Sequence, residues 1–62
     1  PMMEFLRAGS KYEFVLHSKS YRAFYLGEND LFFKVKNDSK VGEIIFFGKD
    51  KIYAIWPIVK KV

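Results

Sequence analysis

From Tyr12 onward the apolar positions recur at every second residue or in short unbroken runs, which is the period of strands and not of helices. Tyr12, Phe14 and Leu16 share one face of a first predicted strand, about Tyr12 to His17, and Ser18-Lys19-Ser20 supplies a hairpin turn. A second strand, Tyr21 to Gly27, is apolar on both faces apart from Arg22. Glu28-Asn29-Asp30 follows as a turn, because Asn and Asp tolerate turn dihedrals and bond their own backbone. The third strand alternates most cleanly, Leu31, Phe33 and Val35 against Phe32, Lys34 and Lys36. Asn37-Asp38-Ser39-Lys40 is a further turn. Two apolar runs, Ile44 to Phe47 and Ile52 to Trp56, are then separated only by Gly48-Lys49-Asp50-Lys51, which predicts two strands joined by a tight reversal.

Both of those last runs are apolar on two faces, where a half-buried sheet would alternate. One core in so short a chain cannot cover both, so a second copy of the chain is expected to cover the other. Ile44, Phe46, Tyr53 and Ile55 are the residues expected at that oligomer interface. Ahead of the strands, Met2 to Ala8 lacks β-branched residues and ends at Gly9, which predicts a short helix capping one end of the fold. Pro1 reads as a residue left by processing, outside the fold. Five short strands joined by turns of three or four residues predict an all-β class: one domain over 1–62, a small, strongly bent five-stranded barrel over 12–56, and a basic tail over 57–62. Gly27 and Gly42 are expected where the chain bends sharply.

Composition narrows this picture. At 62 residues the chain buries little of its surface alone, and such domains lean on disulfides, metals or oligomerisation. There is no cysteine, and one histidine with seven scattered acidic residues offers no metal-ligand spacing. Oligomerisation remains. Half of the residues are hydrophobic and 19% are aromatic, which excludes a disordered chain. No apolar run approaches the roughly 20 residues of a membrane helix, and no signal peptide is visible, so a cytoplasmic location and no membrane partner are expected. The absence of Gln and Thr suggests a thermophile source. A net charge of +4 favours anionic partners, chiefly nucleic acid.

The order of elements resembles the Sm-like family of RNA-binding proteins, and within it the Hfq-like RNA chaperones. Leu6-Arg7 looks like the end of the family's helix. Phe14-Val15-Leu16, a polar turn and Tyr21-Arg22-Ala23 look like its first two strands. Gly27-Glu28-Asn29-Asp30-Leu31-Phe32 stands where it carries a loop with an Asp and an aromatic. Lys49-Asp50-Lys51-Ile52, followed by Ile55 and Pro57, resembles the segment in which Lys-His-Ala-Ile leads into an apolar strand and a proline. The resemblance implies an SH3-like/Sm-like barrel that assembles into a homo-hexameric or homo-heptameric ring and holds single-stranded RNA. The chain departs from the pattern at several points. Asn29 stands where Asp is usual, Asp50 where histidine is, Phe33 at the uridine-pocket Asn, and Phe47-Gly48 at the Arg-Gly pair.

The candidate chemistry is that of RNA binding. In a ring, Lys49 and Lys51, with Asp50 between them, would circle a central opening and attract phosphates; outside a ring they are a solvated hairpin tip. Phe32, beside Asn29 and Asp30, is placed to stack on an unpaired base, or else to pack beneath the helix or on a neighbour. Arg22, Lys34 and Lys36 form a possible basic stripe, which reads equally as a solvated sheet face. Arg7 would lie on a ring face, or would simply be a cation favourable near a helix C-terminus. His17 has no catalytic companion. No glycine-rich phosphate loop, paired carboxylates or nucleophile with a base is present, so neither an enzyme nor a cofactor is expected. The leading reading is an Sm-like ring that holds single-stranded RNA. Two others stay open: a small basic barrel on duplex DNA, and an Sm-like protein-interaction scaffold without RNA pockets.

Overall fold

A computed structural model of the chain describes residues 6–39 and 41–59. Among the described residues five strands are present: β1 (Lys11–Leu16), β2 (Ser20–Glu28), β3 (Phe32–Asn37), β4 (Ile44–Gly48) and β5 (Ile52–Pro57). Aromatic and β-branched residues recur in all five and form most of β4 and β5, as suits a pleated, half-buried surface. They form one antiparallel sheet in the order β4-β3-β2-β1-β5, and the sheet does not close. The protein is therefore all-β, with β4 and β5 at the two open edges.

That order corrects the tight reversal expected between the last two strands. Gly48-Lys49-Asp50-Lys51 does not make a hairpin. Lys49–Lys51 is a single 3-10 turn, and it carries the chain from the β3 side of the sheet to the β1 side. The Lys49 N–H donates to the Leu31 carbonyl at 2.8 Å, which starts this turn against the β2–β3 loop.

The helix expected over 2–8 falls mostly outside the described residues. Its described part, Leu6 to Ala8, is not helical; Ala8-Gly9 is a turn with Gly9 at φ 89°, and the Ser10 N–H donates to the Arg7 carbonyl. Leu6 nevertheless packs on the core, as expected of it. Leu31 begins no strand. It lies at the loop tip, and β3 starts one residue later at Phe32.

Alternation decides the core. Tyr12 and Phe14 from β1, Ala23 and Tyr25 from β2, Phe33 and Val35 from β3, Phe47 from β4 and Ile55 from β5 are all buried together. Phe14 is its centre: its ring lies 6.0 Å from that of Phe33 and 5.5 Å from that of Phe47, both tilted. Such pairs add about 0.5–1.5 kcal/mol each beyond area burial. Ile55 is 1% exposed. It belongs to this core and not to the oligomer interface, because a bulge shifts the register of β5.

Two bulges bend the sheet. Tyr25 pairs with Val35 and Gly27 with Lys34, which leaves Leu26 unopposed on β2. On β5, Ile52 pairs with Leu16 and Ala54 with Val15, which leaves Tyr53 unopposed. A bulge adds twist and turns the strand, so Gly27 does mark a bend. Gly42, at φ 77°, serves the β3–β4 turn instead of a strand.

Candidate nucleic-acid interface

The outward face of the sheet is where charge and aromatic surface meet. Phe32, Lys34 and Lys36 project from β3 because Phe33 and Val35 face the core. Lys34 stands opposite Phe46, and Lys36 stands between Ile44 on β4 and Phe24 on β2. Phe24 in turn stands opposite Lys11 on β1. The face thus reads cation beside aromatic or aliphatic along its cross-strand rows. Phe32 is 43% exposed and Phe46 60%. Their rings meet edge to face at 6.5 Å and an interplanar angle of 82°.

Between those rings lies a small cleft of about 180 Å³, bounded by Phe32, Phe46, Lys34, Gly27, Glu28 and Asn29. A Cβ built on Gly27 meets nothing within 4 Å, so the missing side chain leaves that space open. Among the described residues neither Lys34 nor Lys36 enters an ion pair. Lys11 does, at 3.2 Å from Asp38 Oδ2, while its Nζ also lies 5.5 Å from the Phe24 ring. Arg22 is exposed on the same face, opposite Glu13 in the register, so the expected stripe of Arg22, Lys34 and Lys36 shares one face but is diluted at Arg22 by a carboxylate.

The β2–β3 loop has structural work of its own. Asn29 Oδ1 accepts hydrogen bonds from the Leu31 and Phe32 N–H groups, both at 2.9 Å, and so fixes the turn and the direction of Phe32. Asn29 is therefore a positioning residue whose carbonyl oxygen is already engaged. Asp30 is exposed beside it.

Lys49 is engaged as well. Its Nζ donates to Glu28 Oε2 at 2.8 Å and lies 5.2 Å from the Phe33 ring centroid. Glu28 Oε1 accepts from the Tyr25 hydroxyl at 2.9 Å. The hydrogen bond from Lys49 is the main cause that holds the Glu28 carboxyl below its ordinary value, with the Tyr25 hydroxyl adding to it against partial desolvation. Burial first, then this hydrogen bond and the charge of Glu28, push the Tyr25 hydroxyl up to about 12. Asp50 and Lys51 are exposed on the 3-10 turn, and Arg7 is exposed with its backbone N–H donated to the Tyr12 hydroxyl at 2.8 Å. The structure therefore brings Phe32, Lys34 and Lys36 together on one face, while Lys49 and Asp50 line another hollow, of about 430 Å³, with Asp30, Leu31 and Phe32, and Lys51 lies further along the 3-10 turn.

Two members of this face, Phe46 and Phe24, escape a sequence reading for RNA contacts. Phe46 reads as an interface residue and Phe24 as one member of an apolar run assigned to neither face, because β2 and β4 are apolar on both faces. The usable signal was Lys34 and Lys36: strands that flank a charged outward row must present their own outward residues beside it.

The two sheet edges also differ in chemistry from a sealed barrel. The bonds from the Asn37 N–H to the Glu43 carbonyl and from the Lys49 N–H to the Leu31 carbonyl set the ladder so that Ile45 and Phe47 exchange bonds with β3. Ile44 and Phe46 then present their backbone N–H and C=O groups to the open edge. On β5, the bond from the Ile58 N–H to the Lys11 carbonyl directs the backbone groups of Ile55 and Pro57 to the open edge, the only kind of position a strand proline tolerates, while the Ile55 side chain stays in the core. Ile44, Phe46, Tyr53 and Trp56 are all exposed along these edges. Among the described residues no group of three or more His, Cys, Asp or Glu could hold a metal ion. Comparison with protein-family models, with curated proteins and with solved structures finds no match.

Proposed function

We propose that this chain is an RNA-binding module that holds single-stranded RNA across the outward face of β3 and β4. The observation that carries the reading is the pairing of two exposed aromatic rings, Phe32 and Phe46, around Lys34, with Lys36 one step along the strand and neither lysine in an ion pair among the described residues. Unstacked bases lie against aromatic rings at about 1–3 kcal/mol per base, and adjacent ammonium groups take the phosphates between them. A single strand offers both features at once, whereas a duplex hides its base faces.

The module works as a homo-oligomer, a closed ring of the Sm-like kind, joined by pairing β4 of one copy to β5 of the next. Support comes from two open, apolar edges in a chain of 62 residues, each with outward backbone groups awaiting partners. Edge pairing uses backbone groups and leaves the outward side chains of β4 on the face, so assembly and RNA binding do not compete for Phe46. Repetition of the face around a ring would line up several such sites along one strand of RNA.

Titration of oligo-U, oligo-A and duplex DNA of equal length at two salt concentrations tests this reading. Single strands are expected to bind more tightly than duplex, with affinity falling as salt rises. Preference for the duplex would assign the lysine row to DNA, and no binding to any of the three would leave the face a protein-interaction surface.

A further inference from the structure

A second pocket, of about 450 Å³, opens between the β1–β2 turn and the 3-10 turn, and it shares no lining residue with the aromatic face of β3 and β4. Its geometry begins with the bulge at Tyr53. Lacking a partner on β1, Tyr53 is turned out of the ladder, and its hydroxyl comes within 2.7 Å of His17 Nδ1. The two rings meet edge to face at 5.7 Å and 81°. Bulges re-aim side chains in this way. The bond occupies Nδ1 and leaves Nε2 as the remaining polar atom of the imidazole.

Charge in the lining is uneven. Lys19 and Lys51 contribute two ammonium groups, and neither enters an ion pair among the described residues. Among the described residues Asp50 is the one carboxylate in the lining that opposes them. Lys19 Nζ stands 6.0 Å from the Tyr21 ring centroid, and that ring is braced from below by Phe47 at 5.2 Å. The pocket thus sets surplus positive charge beside two tyrosine rings, one of them, Tyr53, 61% exposed. An anion alone would use the first feature. A ligand that carries an anion on a planar ring uses both.

We propose that this pocket binds a nucleotide, with its phosphate held by Lys19, Lys51 and His17 Nε2 and its base lying against Tyr53. The site is independent of the β3–β4 face, since their linings are separate.

The chain has a single histidine, so its imidazole resonances report on this pocket without ambiguity. Adenosine 5′-monophosphate titrated into the full chain is expected to shift the His17 ring signals saturably. Inorganic phosphate should shift them more weakly and adenosine not at all. The K19A/K51A double variant, altered only at exposed positions, should weaken binding of the monophosphate by about tenfold or more, since it removes both ammonium groups from the lining. Tyr53→Ala should weaken binding of the monophosphate more than that of inorganic phosphate, since it removes the ring under the base as well as the bond to His17 Nδ1. Phe32→Ala should leave both titrations as they are, which separates this site from the sheet face. Undisturbed His17 signals, equal affinity for adenosine and its monophosphate, or unchanged affinity in K19A/K51A would overturn the proposal. Inorganic phosphate binding as tightly as the monophosphate would overturn its nucleotide part.

Discussion

Lys49 Nζ lies 2.8 Å from Glu28 Oε2, so the turn that carries the chain to β5 is tied by an ion pair to the end of β2, 21 residues earlier. The same carboxylate accepts the Tyr25 hydroxyl. Three side chains thereby hold the loop after β2, the rim of the core and the 3-10 turn in one arrangement. Lys49 is spent on the fold, which removes half of the charge that a basic final turn would offer to phosphate.

This network has a pH signature. The Glu28 carboxyl is held below its ordinary value, so the folded chain binds that proton less tightly than the unfolded chain does. Its contribution to stability is whole above the ordinary carboxylate range and is lost as pH falls through the lowered value. Glu28→Gln should cost about 0.5–1 kcal/mol at neutral pH, the scale of a partly exposed, solvent-screened pair, and should flatten the acid limb of thermal unfolding. At the other end, one tyrosine should ionise near pH 12 by ultraviolet absorbance, and Tyr25→Phe should remove that step. The Tyr25 hydroxyl keeps its proton more tightly in the folded state, so the stability it contributes is present below about pH 10 and lost as pH rises towards 12.

Much of this fold is written locally. The alternation in Phe33, Lys34, Val35 and Lys36 announces which side of β3 faces water, and Asn29 announces its turn. Local pattern fails where a strand is apolar on both sides. Ile55 and Trp56 are equally hydrophobic, and only the unopposed Tyr53 decides that Ile55 enters the core. The pairing of β5 with β1, like the reach of Lys49 to Glu28, joins residues far apart in sequence and leaves no periodic trace. The candidate site was half legible for the same reason: Phe32, Lys34 and Lys36 lie on one strand, whereas Phe46 joins them only through the register of β4.

Core packing centred on Phe14 gives a second prediction. Its side chain is fully buried between Phe33 and Phe47. Phe14→Ala should cost about 3–5 kcal/mol, enough to leave a domain of this size largely unfolded by circular dichroism. Phe14→Leu should fold with a lowered melting temperature.

Self-association should depend on the edge of β4. Ile44 is exposed there, with its backbone groups directed away from β3. Ile44→Lys places a charge beside the open edge, a common guard against strand pairing. Sedimentation of the parent at micromolar concentration should show a closed oligomer, and that of the variant a smaller species with unchanged circular dichroism. A monomeric parent would end the ring reading and leave the aromatic face to act alone.

Charge and stacking should separate in one binding assay. Replacing Lys34 and Lys36 together with Ala should flatten the slope of log affinity against log salt by about 1.4 per site, the release expected from two phosphate contacts on a single strand. Phe32→Ala should weaken binding by about 1–3 kcal/mol with little change in that slope. Lys49→Ala should act on stability, through Glu28, more than on RNA affinity.

The central claim is that RNA lies on the outward face of β3 and β4, and amide chemical-shift mapping of the ¹⁵N-labelled chain with a short single-stranded oligo-U tests it most directly. The account predicts that the largest shifts fall on Phe32, Lys34, Lys36 and Phe46, and that they collapse in a Phe32→Ala/Phe46→Ala variant. Shifts confined to Lys49, Asp50 and Lys51, or a spectrum unchanged by saturating RNA, would contradict it.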